Sequence, residues 1–591
     1  MITRSLSILF LLFWGSFPVF GQSFTQVSGE SQLAVASNGN GVAVADYDQD
    51  GDLDIFFVAR EAYDSSRTTT VSRLFRNDDG FFVDVTHEAG VLNTTNGYTT
   101  GQMGNQFGAA WGDYDNDGFP DLFISQIGPD LLFRNNRNGT FDEVAEQMGV
   151  RGSNHNSNHS SAMWWDYDID GDLDLYVSSW TGVNTLFQNN GESFDDVSVE
   201  SGTAEPGQTW TSIPLDVNLD QHPDLYVVND FGDNTLLLSN RDGTFSDATE
   251  AYDLNDVGHG MGVTIGDCNN DGMFDIYLTN DASYFPNPLF IGYGSGPFVD
   301  NAEDLGVGDA GWAWGTEFLD YDNDRDQDLY VVNGFPVAPG TNYLFHNSLV
   351  ETGTAGFSDV STGSGTDGTP DARGLVVFDY DQDGRLDLLV SNWTGAPYLY
   401  RNDTENTGNW IYIKLQGTLS NRDGLGAVVS VNIDGQTMYR HNDGVEFLGQ
   451  SLAPVHFGLG DAEVIDQITV SWPSGLVEKF VDIPANQTIT VTENVEVTAS
   501  EPELLPARSF GIDAVYPNPL TTTSRIEFVA AVKQGGTLEI YDVVGKLRYS
   551  RTIAPGTRNV EINRDELGTS GIYLVWIRSG LLTASTRLVV L

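Results

Sequence analysis

One nine-residue pattern occurs seven times in this chain of 591 residues. It opens on aspartate, places an acid or amide two and four positions on, and closes on aspartate at position nine, as in Asp46-Tyr47-Asp48-Gln49-Asp50-Gly51-Asp52-Leu53-Asp54. The copies start at Asp46, Asp113, Asp166, Asp216, Asp267, Asp320 and Asp379, at intervals of 67, 53, 50, 51, 53 and 59 residues. A period near 50 residues marks an array of supersecondary units, each of which buries its apolar face against the next. Any fold for this chain must therefore set seven acidic loops in equivalent places.

Oxygen ligands at positions 1, 3, 5 and 9 point to a hard cation, and Ca²⁺ takes six to eight oxygens at about 2.3–2.6 Å. Position 3 is Asp48, Asp115, Asp168, Asn218, Asn269, Asp322 or Asp381. Position 5 is Asp50, Asp117, Asp170, Asp220, Asp271, Asp324 or Asp383, and position 9 is Asp54, Asp121, Asp174, Asp224, Asp275, Asp328 or Asp387. An EF-hand needs a bidentate Glu at position 12 and a following helix; here position 12 is always apolar, and position 8 is proline in two copies, Pro120 and Pro223. The residues that follow, such as Leu122-Phe-Ile-Ser125, favour strand, so each loop is expected to join two strands. Up to seven Ca²⁺ sites follow, and a set of plain acidic turns is the competing reading. Gln221 and Arg325 replace the glycine of position 6, so the loops at 216 and 320 are expected to bind most weakly.

Around each loop the rest of the unit repeats. A small and aromatic strand precedes it (Phe107–Gly112), and a second strand, a Leu-Phe-Arg-Asn segment (74–77, 132–135) and a Phe-x-Asp-Val-like element follow. Four strands per unit and seven units predict an all-β fold, a seven-bladed β-propeller followed by two small β-sandwich-like domains. The Phe element occurs at Phe82, Phe141, Phe194, Phe245, Phe298 and Phe357, and no copy follows the seventh loop. The missing copy is Phe24-Thr-Gln-Val27, so the first strand is expected to complete the last blade and remove an exposed edge.

The Asp loops and their leading strands, such as Gly108-Ala-Ala-Trp-Gly-Asp-Tyr-Asp-Asn-Asp-Gly118, resemble the FG-GAP/VCBS repeat family, which includes the integrin alpha-chain propeller. That resemblance covers residues 24–405 and implies the propeller of residues 22–407. The motifs Asn421-Arg-Asp-Gly-Leu-Gly-Ala427, Phe457-Gly-Leu-Gly460 and Trp472-Pro-Ser-Gly475 resemble the ASPIC/UnbV module, as in proteins similar to cartilage acidic protein. It would occupy residues 408–493, and it brings no agreed chemistry with it. After a linker at 494–513, Tyr516-Pro-Asn-Pro519, Leu538–Lys546 and Gly571–Val575 resemble the C-terminal sorting domain of the type IX secretion system, residues 514–591. This resemblance implies a Bacteroidota-type bacterium, passage through the type IX machinery, and release or attachment at the cell surface.

A net charge of −57, from 84 acidic and 27 basic residues, argues against nucleic acid and anionic membrane as partners. Residues 1–21 read as a secretory signal, with Arg4 before an apolar run at 8–14, and no other segment could span a membrane. The single cysteine, Cys268, excludes an intramolecular disulfide framework and is read as a packing residue; His441 and His456 are read as packing or surface residues rather than ligands.

No zinc helix, nucleophile elbow or phosphate loop is present. His155 and His159 lie four apart, but among Gly, Ser and Asn, which make a loop rather than a metal-binding helix. If each calcium loop joins strands one and two, the loops at the other strand ends form the opposite face. There Trp180, Trp210, Asp230 and Trp393 place aromatics beside acids and amides, chemistry that suits sugar rings. Trp312, Trp314 and the Trp164/Trp165 pair are expected to pack inside. The chain thus reads as a secreted or surface-attached monomer that recognises an extracellular glycan or protein. A polysaccharide-active enzyme and a structural assembly module stay open as alternatives.

Overall fold

The structure is a computed structural model. It describes residues 23–36, 38–59, 71–92, 104–152, 157–281, 284–335, 340–368, 371–405 and 407–494. It then describes 512–516, 520, 522–528, 535–542, 546–567, 571–579 and 582–590. The expected leader, most of the 494–513 linker and His155 lie outside the described residues. No helix among the described residues is long and apolar enough to cross a membrane.

Each acidic loop joins the first two strands of a four-stranded antiparallel sheet, as in Gly39–Ala45, Asp54–Ala59, Arg73–Asp78 and Phe81–Asp84. Five sheets are four strands in chain order, and that of the second loop has its four in chain order and is extended by two short strands, Gly449–Gln450 and Val445–Glu446. The sheet of the seventh loop has three consecutive strands (Ala372–Phe378, Asp387–Asn392, Tyr398–Asn402) and is completed by Phe24–Gln26, with Phe24 opposite Asn402 and Gln26 opposite Tyr400. Leading strands of successive sheets lie side by side, and that of the last sheet lies beside that of the first. The arrangement is propeller-like.

Two recurrent sequence features meet at the joins between sheets. The tyrosine at position 2 of a loop packs on the Phe-element ring of the next sheet: Tyr47 on Phe141 at 5.7 Å, Tyr114 on Phe194 at 5.8 Å and Tyr167 on Phe245 at 6.2 Å. Tyr380 reaches round to Phe82 at 6.1 Å, and Tyr321 packs on Phe24 at 6.0 Å. Phe24 thus takes the place that its counterparts hold in other sheets. Aromatic pairs of this kind add about 0.5–1.5 kcal/mol beyond the area they bury. Where position 2 is Val217 or Cys268 the tyrosine contact is lost; Cys268 is buried and its thiol donates to Asp275 Oδ2 at 3.0 Å.

Residues 409–492 form two sheets over an apolar core of Ile411, Ile413, Val429, Phe457 and Trp472. One sheet has four strands (Val428–Ile433, Gln436–His441, Val464–Ser471, Val477–Pro484) and the other three (Asn409–Gln416, Val455–Gly460, Gln487–Thr492). This segment does not stand apart: it belongs to the same compact unit as the repeats. It lies on the acidic loops, where Gly408 N donates to Asp322 O at 3.0 Å, Gly460 N to Asn323 O at 2.8 Å, and Lys414 Nζ meets Asp46 Oδ2 at 3.2 Å. A Cβ on Gly384 would sit 1.9 Å from Trp410 Nε1, so the glycine there serves close approach as well as the turn.

From this segment a hairpin, residues 442–454, enters the centre of the ring. Its strand Gly449–Gln450 runs parallel to the leading strand Gln106–Gly112, with Gly449 opposite Ala109. Leu452 N donates to Val44 O at 2.8 Å, and a Cβ on Gly41 would sit 2.0 Å from Leu448 O. Phe447 reaches Trp210 and Trp314 with ring centroids 6.2 and 5.7 Å away. The ring therefore holds a side-chain-filled plug.

The C-terminal unit is a separate β structure. It has sheets of three strands (Ile512–Tyr516, Thr523–Phe528, Asn559–Asn563) and four (Gly536–Asp542, Leu547–Ile553, Gly571–Ser579, Leu582–Val590). Leu538, Ile540, Val575 and Ile577 are among its core residues.

Candidate metal centres and recognition face

The four acidic positions of each loop do different work. Position 1 closes the loop: Asp113 accepts the amide hydrogens of Asp117 at 2.9 Å and Gly118 at 2.6 Å, and Asp320 does the same for Asp324 and Arg325. Position 9 ties the loop to its sheet. Asp174 Oδ1 accepts from Asn189 N at 2.8 Å and its Oδ2 from Tyr167 N at 3.3 Å. That asparagine, the last residue of the Leu-Phe-Arg-Asn-like segments, also donates across the join, from Asn189 Nδ2 to Tyr114 O at 2.9 Å and from Asn402 Nδ2 to Tyr321 O at 2.7 Å. The motif carried this signal, and sequence reading did not assign it a role.

Position 3 is the informative one. Asp48, Asp168, Asp322 and Asp381 each leave Oδ1 buried without a hydrogen-bond partner, and so does the amide of Asn218. An unpartnered buried oxygen costs roughly 1–3 kcal/mol, and the same atom is orphaned in five loops. Ligand oxygens of Asp46, Asp48 and Asp50, of Asp113, Asp115 and Asp121, of Asp166, Asp168 and Asp174, and of Asp320, Asp322 and Asp328 gather within 4.8 Å of one another. Burial, then crowding by Asp170 and Asp168, pushes the Asp166 carboxyl up to about 7; burial pushes Asp54 up to about 9. An all-oxygen set with orphaned acceptors and crowded acids fits a hard cation. Around the loop at 320 the structure adds acid that the nine-residue ligand set omits: Asp326 and Glu351 form a further group with Asp324 of position 5, and His346 bridges Asp328 and Glu351.

Loops also hold one another. The residue at position 4 is left-handed in every copy, with φ of 53–61°. Where it is Asn or Gln, its amide donates to the position 6 carbonyl of the next loop: Gln49 to Gly118, Asn116 to Gly171, Asn270 to Arg325, Asn323 to Gly384, and Gln382 to Gly51. Ile169 and Leu219 cannot donate. There they face an apolar cavity of about 260 Å³ shared with Tyr439, Trp472 and Pro473 of the capping segment.

At the other ends of the strands, Trp180 Nε1 and Trp210 Nε1 both donate to Asp230 Oδ2, at 3.0 and 3.1 Å. The Trp210 ring meets Trp314 edge-on at 6.1 Å. Arg373 lies over Trp314 at 4.1 Å and over Trp393 at 5.2 Å. The four residues expected on this face therefore form one connected group, joined through Trp314, which was expected inside, and through Arg373, which the sequence reading did not single out. Trp164, Trp165 and Trp314 are buried as expected; Trp312 is half-buried and stacks on Phe335 at 4.3 Å. Phe231, Val257 and Tyr284 are exposed on loops at this end, with His259 against Phe231 at 4.6 Å. His159 Nδ1 pairs with buried Asp130 at 2.5 Å. His456 is buried against Tyr412, and His441 lies against Phe274 with its Nδ1 on Asp443.

Sequence comparison matches the first part of the repeat array and both later segments. Residues 46–124, 113–177, 166–227 and 216–278 match the FG-GAP-like repeat, 417–498 match ASPIC and UnbV, and 514–591 match the secretion system C-terminal sorting domain. The chain carries FG-GAP repeats, an ASPIC/UnbV domain and a sorting tail. Cartilage acidic protein 1 of Homo sapiens is 24% identical over 477 residues, 74% of this chain and 69% of the relative. The Xenopus tropicalis protein of that name is 24% identical over 478 residues, 74% of this chain and 70% of its own. Among solved structures, an Agrocybe aegerita lectin that recognises non-reducing terminal N-acetylglucosamine aligns with 61% of this chain and 86% of its own, at 15% identity and a TM-score of 0.36. The sorting domain assigns the chain to type IX secretion, to the cell surface or the medium.

Proposed function

We propose that this protein is a calcium-stabilised, seven-bladed propeller that recognises an extracellular glycan or protein through the face opposite its acidic loops. The observation that carries the reading is the division of the two faces. The ASPIC/UnbV domain covers the loop end with contacts such as Lys414 to Asp46 and Gly460 to Asn323, while the other end presents Trp180, Trp210 and Trp393 around Asp230 and Arg373. Rigid aromatic faces beside fixed polar groups suit sugar rings, which stack on the former and hydrogen-bond to the latter. Calcium in the seven loops would supply the partner that the position 3 oxygens lack and neutralise the crowded carboxylates.

The test is binding of the full chain to a panel of polysaccharides and matrix proteins, with Trp180→Ala and Asp230→Asn as variants and intact-mass analysis of any bound sugar. A hit weakened at least tenfold by Trp180→Ala, with ligand mass unchanged, supports recognition. A shortened ligand replaces the reading with an enzyme, and a hit indifferent to both variants moves the site off this face.

A further inference from the structure

Where the plug meets the ring, two glutamates face the same space. Glu317 lies on the leading strand Ala313–Leu319 of the sixth sheet, and Glu446 lies on the inserted hairpin. Both line a cavity of about 150 Å³ together with Asp443, Arg440 and His456. Each glutamate has one hydroxyl partner, Thr264 for Glu317 and Ser451 for Glu446. Each leaves its Oε2 buried without a hydrogen-bond partner, and Glu446 as a residue is only 7% exposed. The charges that act on this pair are carboxylates: each glutamate feels Asp443, and Glu446 also feels Glu317. Arg440, the cation of the cavity, feels Asp320, Asp267 and Asp326 and lies over the Phe457 ring at 5.0 Å, and its Nη2 is buried without a hydrogen-bond partner.

Two ionised carboxylates removed from water and without an ion pair are costly, and native proteins neutralise such groups, pair them or give them a metal. A cavity of this volume has room for a cation and several waters, since one water needs only about 10–15 Å³ of such space.

We propose that this cavity is a further divalent-cation site, outside the nine-residue loops, in which Glu317 Oε2 and Glu446 Oε2 hold a hard cation with water completing its shell. The ion would join the plug to the sixth sheet, so that the ASPIC/UnbV hairpin and the FG-GAP ring each supply one carboxylate. Calcium binding would then fasten the second domain into the first.

Crystals of the full chain grown in calcium give the direct test. An anomalous-difference peak between Glu317 and Glu446 is expected at long wavelength, and a cavity holding water alone overturns the proposal. In solution, Glu446→Gln and Glu317→Gln should each bind one calcium fewer per chain than wild type in equilibrium dialysis. In EDTA they should melt no lower than wild type, because a buried charge has gone. The loop variant Asp48→Asn separates this site from the loops: its loss should add to that of Glu446→Gln. A wild-type calcium count in Glu446→Gln overturns the proposal whether or not the loops bind. Should neither glutamine variant fold, the crystal measurement on wild type decides.

Discussion

Trp164 and Gln450 exchange two hydrogen bonds inside the ring. Trp164 N donates to Gln450 Oε1 at 2.6 Å, and Gln450 Nε2 donates to Trp164 O at 3.0 Å. A fully buried side chain from the second domain thus satisfies a leading strand as a neighbouring backbone would. Gln450→Leu keeps comparable bulk and removes the partner of Trp164 N and O and of Asp443 O, to which Gln450 Nε2 also donates at 2.9 Å. At roughly 1–3 kcal/mol for each unsatisfied group, the variant is expected to lose about 2–4 kcal/mol in urea unfolding of the full chain. An unchanged midpoint and slope would mean that the plug is not part of the folded core.

Removal of calcium should be felt by the whole molecule. A site filled at a hundred times its Kd adds about 2.7 kcal/mol, so three such loops add about 8 kcal/mol. At about 2–4 °C per kcal/mol for mid-sized domains, the melting temperature should fall by more than about 10 °C in EDTA and recover when calcium is restored. A melt that EDTA leaves in place would return the loops to plain acidic turns, despite the orphaned oxygens of Asp48, Asp168 and Asp322.

The repeats were legible because their physics is local. Position, spacing and residue type in each loop sit within nine residues, and the missing Phe element could be found at Phe24 by counting alone. The plug was not legible. Gln450 bonds to a residue 286 positions away, and nothing in the hairpin 442–454 repeats or alternates in a way that marks a channel filler. The recognition face was half legible: Trp180, Trp210, Asp230 and Trp393 follow from which strand ends a loop joins. Arg373, which links Trp314 to Trp393, lies inside a leading strand, where the sequence gives no sign that its guanidinium stacks on two rings. The left-handed position 4 was also hidden, since Gln, Asn, Ile and Leu occupy it alike.

That position yields a stabilising change. Ile169 is β-branched and held at φ 60°, a conformation that Asn tolerates far better. Asn at the same position of the preceding loop donates from Asn116 to Gly171 O. Ile169→Asn should relieve the backbone and supply the missing link to the next loop, at the loss of a half-buried apolar contact. A gain of about 1 kcal/mol is expected, read as a higher melting temperature in calcium. A loss would show that the apolar cavity beside Tyr439 and Trp472 matters more than the strain.

A pH dependence follows from His159 and Asp130. Burial opposes the charge on the imidazole, but attraction to Asp130, 2.5 Å away, and the hydrogen bond to it together raise it above its ordinary 6.5. Folding therefore strengthens proton binding. The stability this contributes is fully present below about 6.5, the unfolded value, and is lost as pH rises through the higher folded value. Burial raises Asp130 as well, which bends stability in the same direction as pH climbs above its ordinary 3.8. His159→Gln retains a hydrogen-bond donor and removes the titration. The stability gap between wild type and this variant should be widest near pH 5.5 and narrow by pH 8.5, measured by chemical unfolding in calcium at both values. Taking the gap cancels the carboxylates remote from His159, Asp130 being the exception because it loses its partner in the variant; a gap that does not change with pH would mean that His159 is neutral in the folded state and that its bond to Asp130 is an uncharged one.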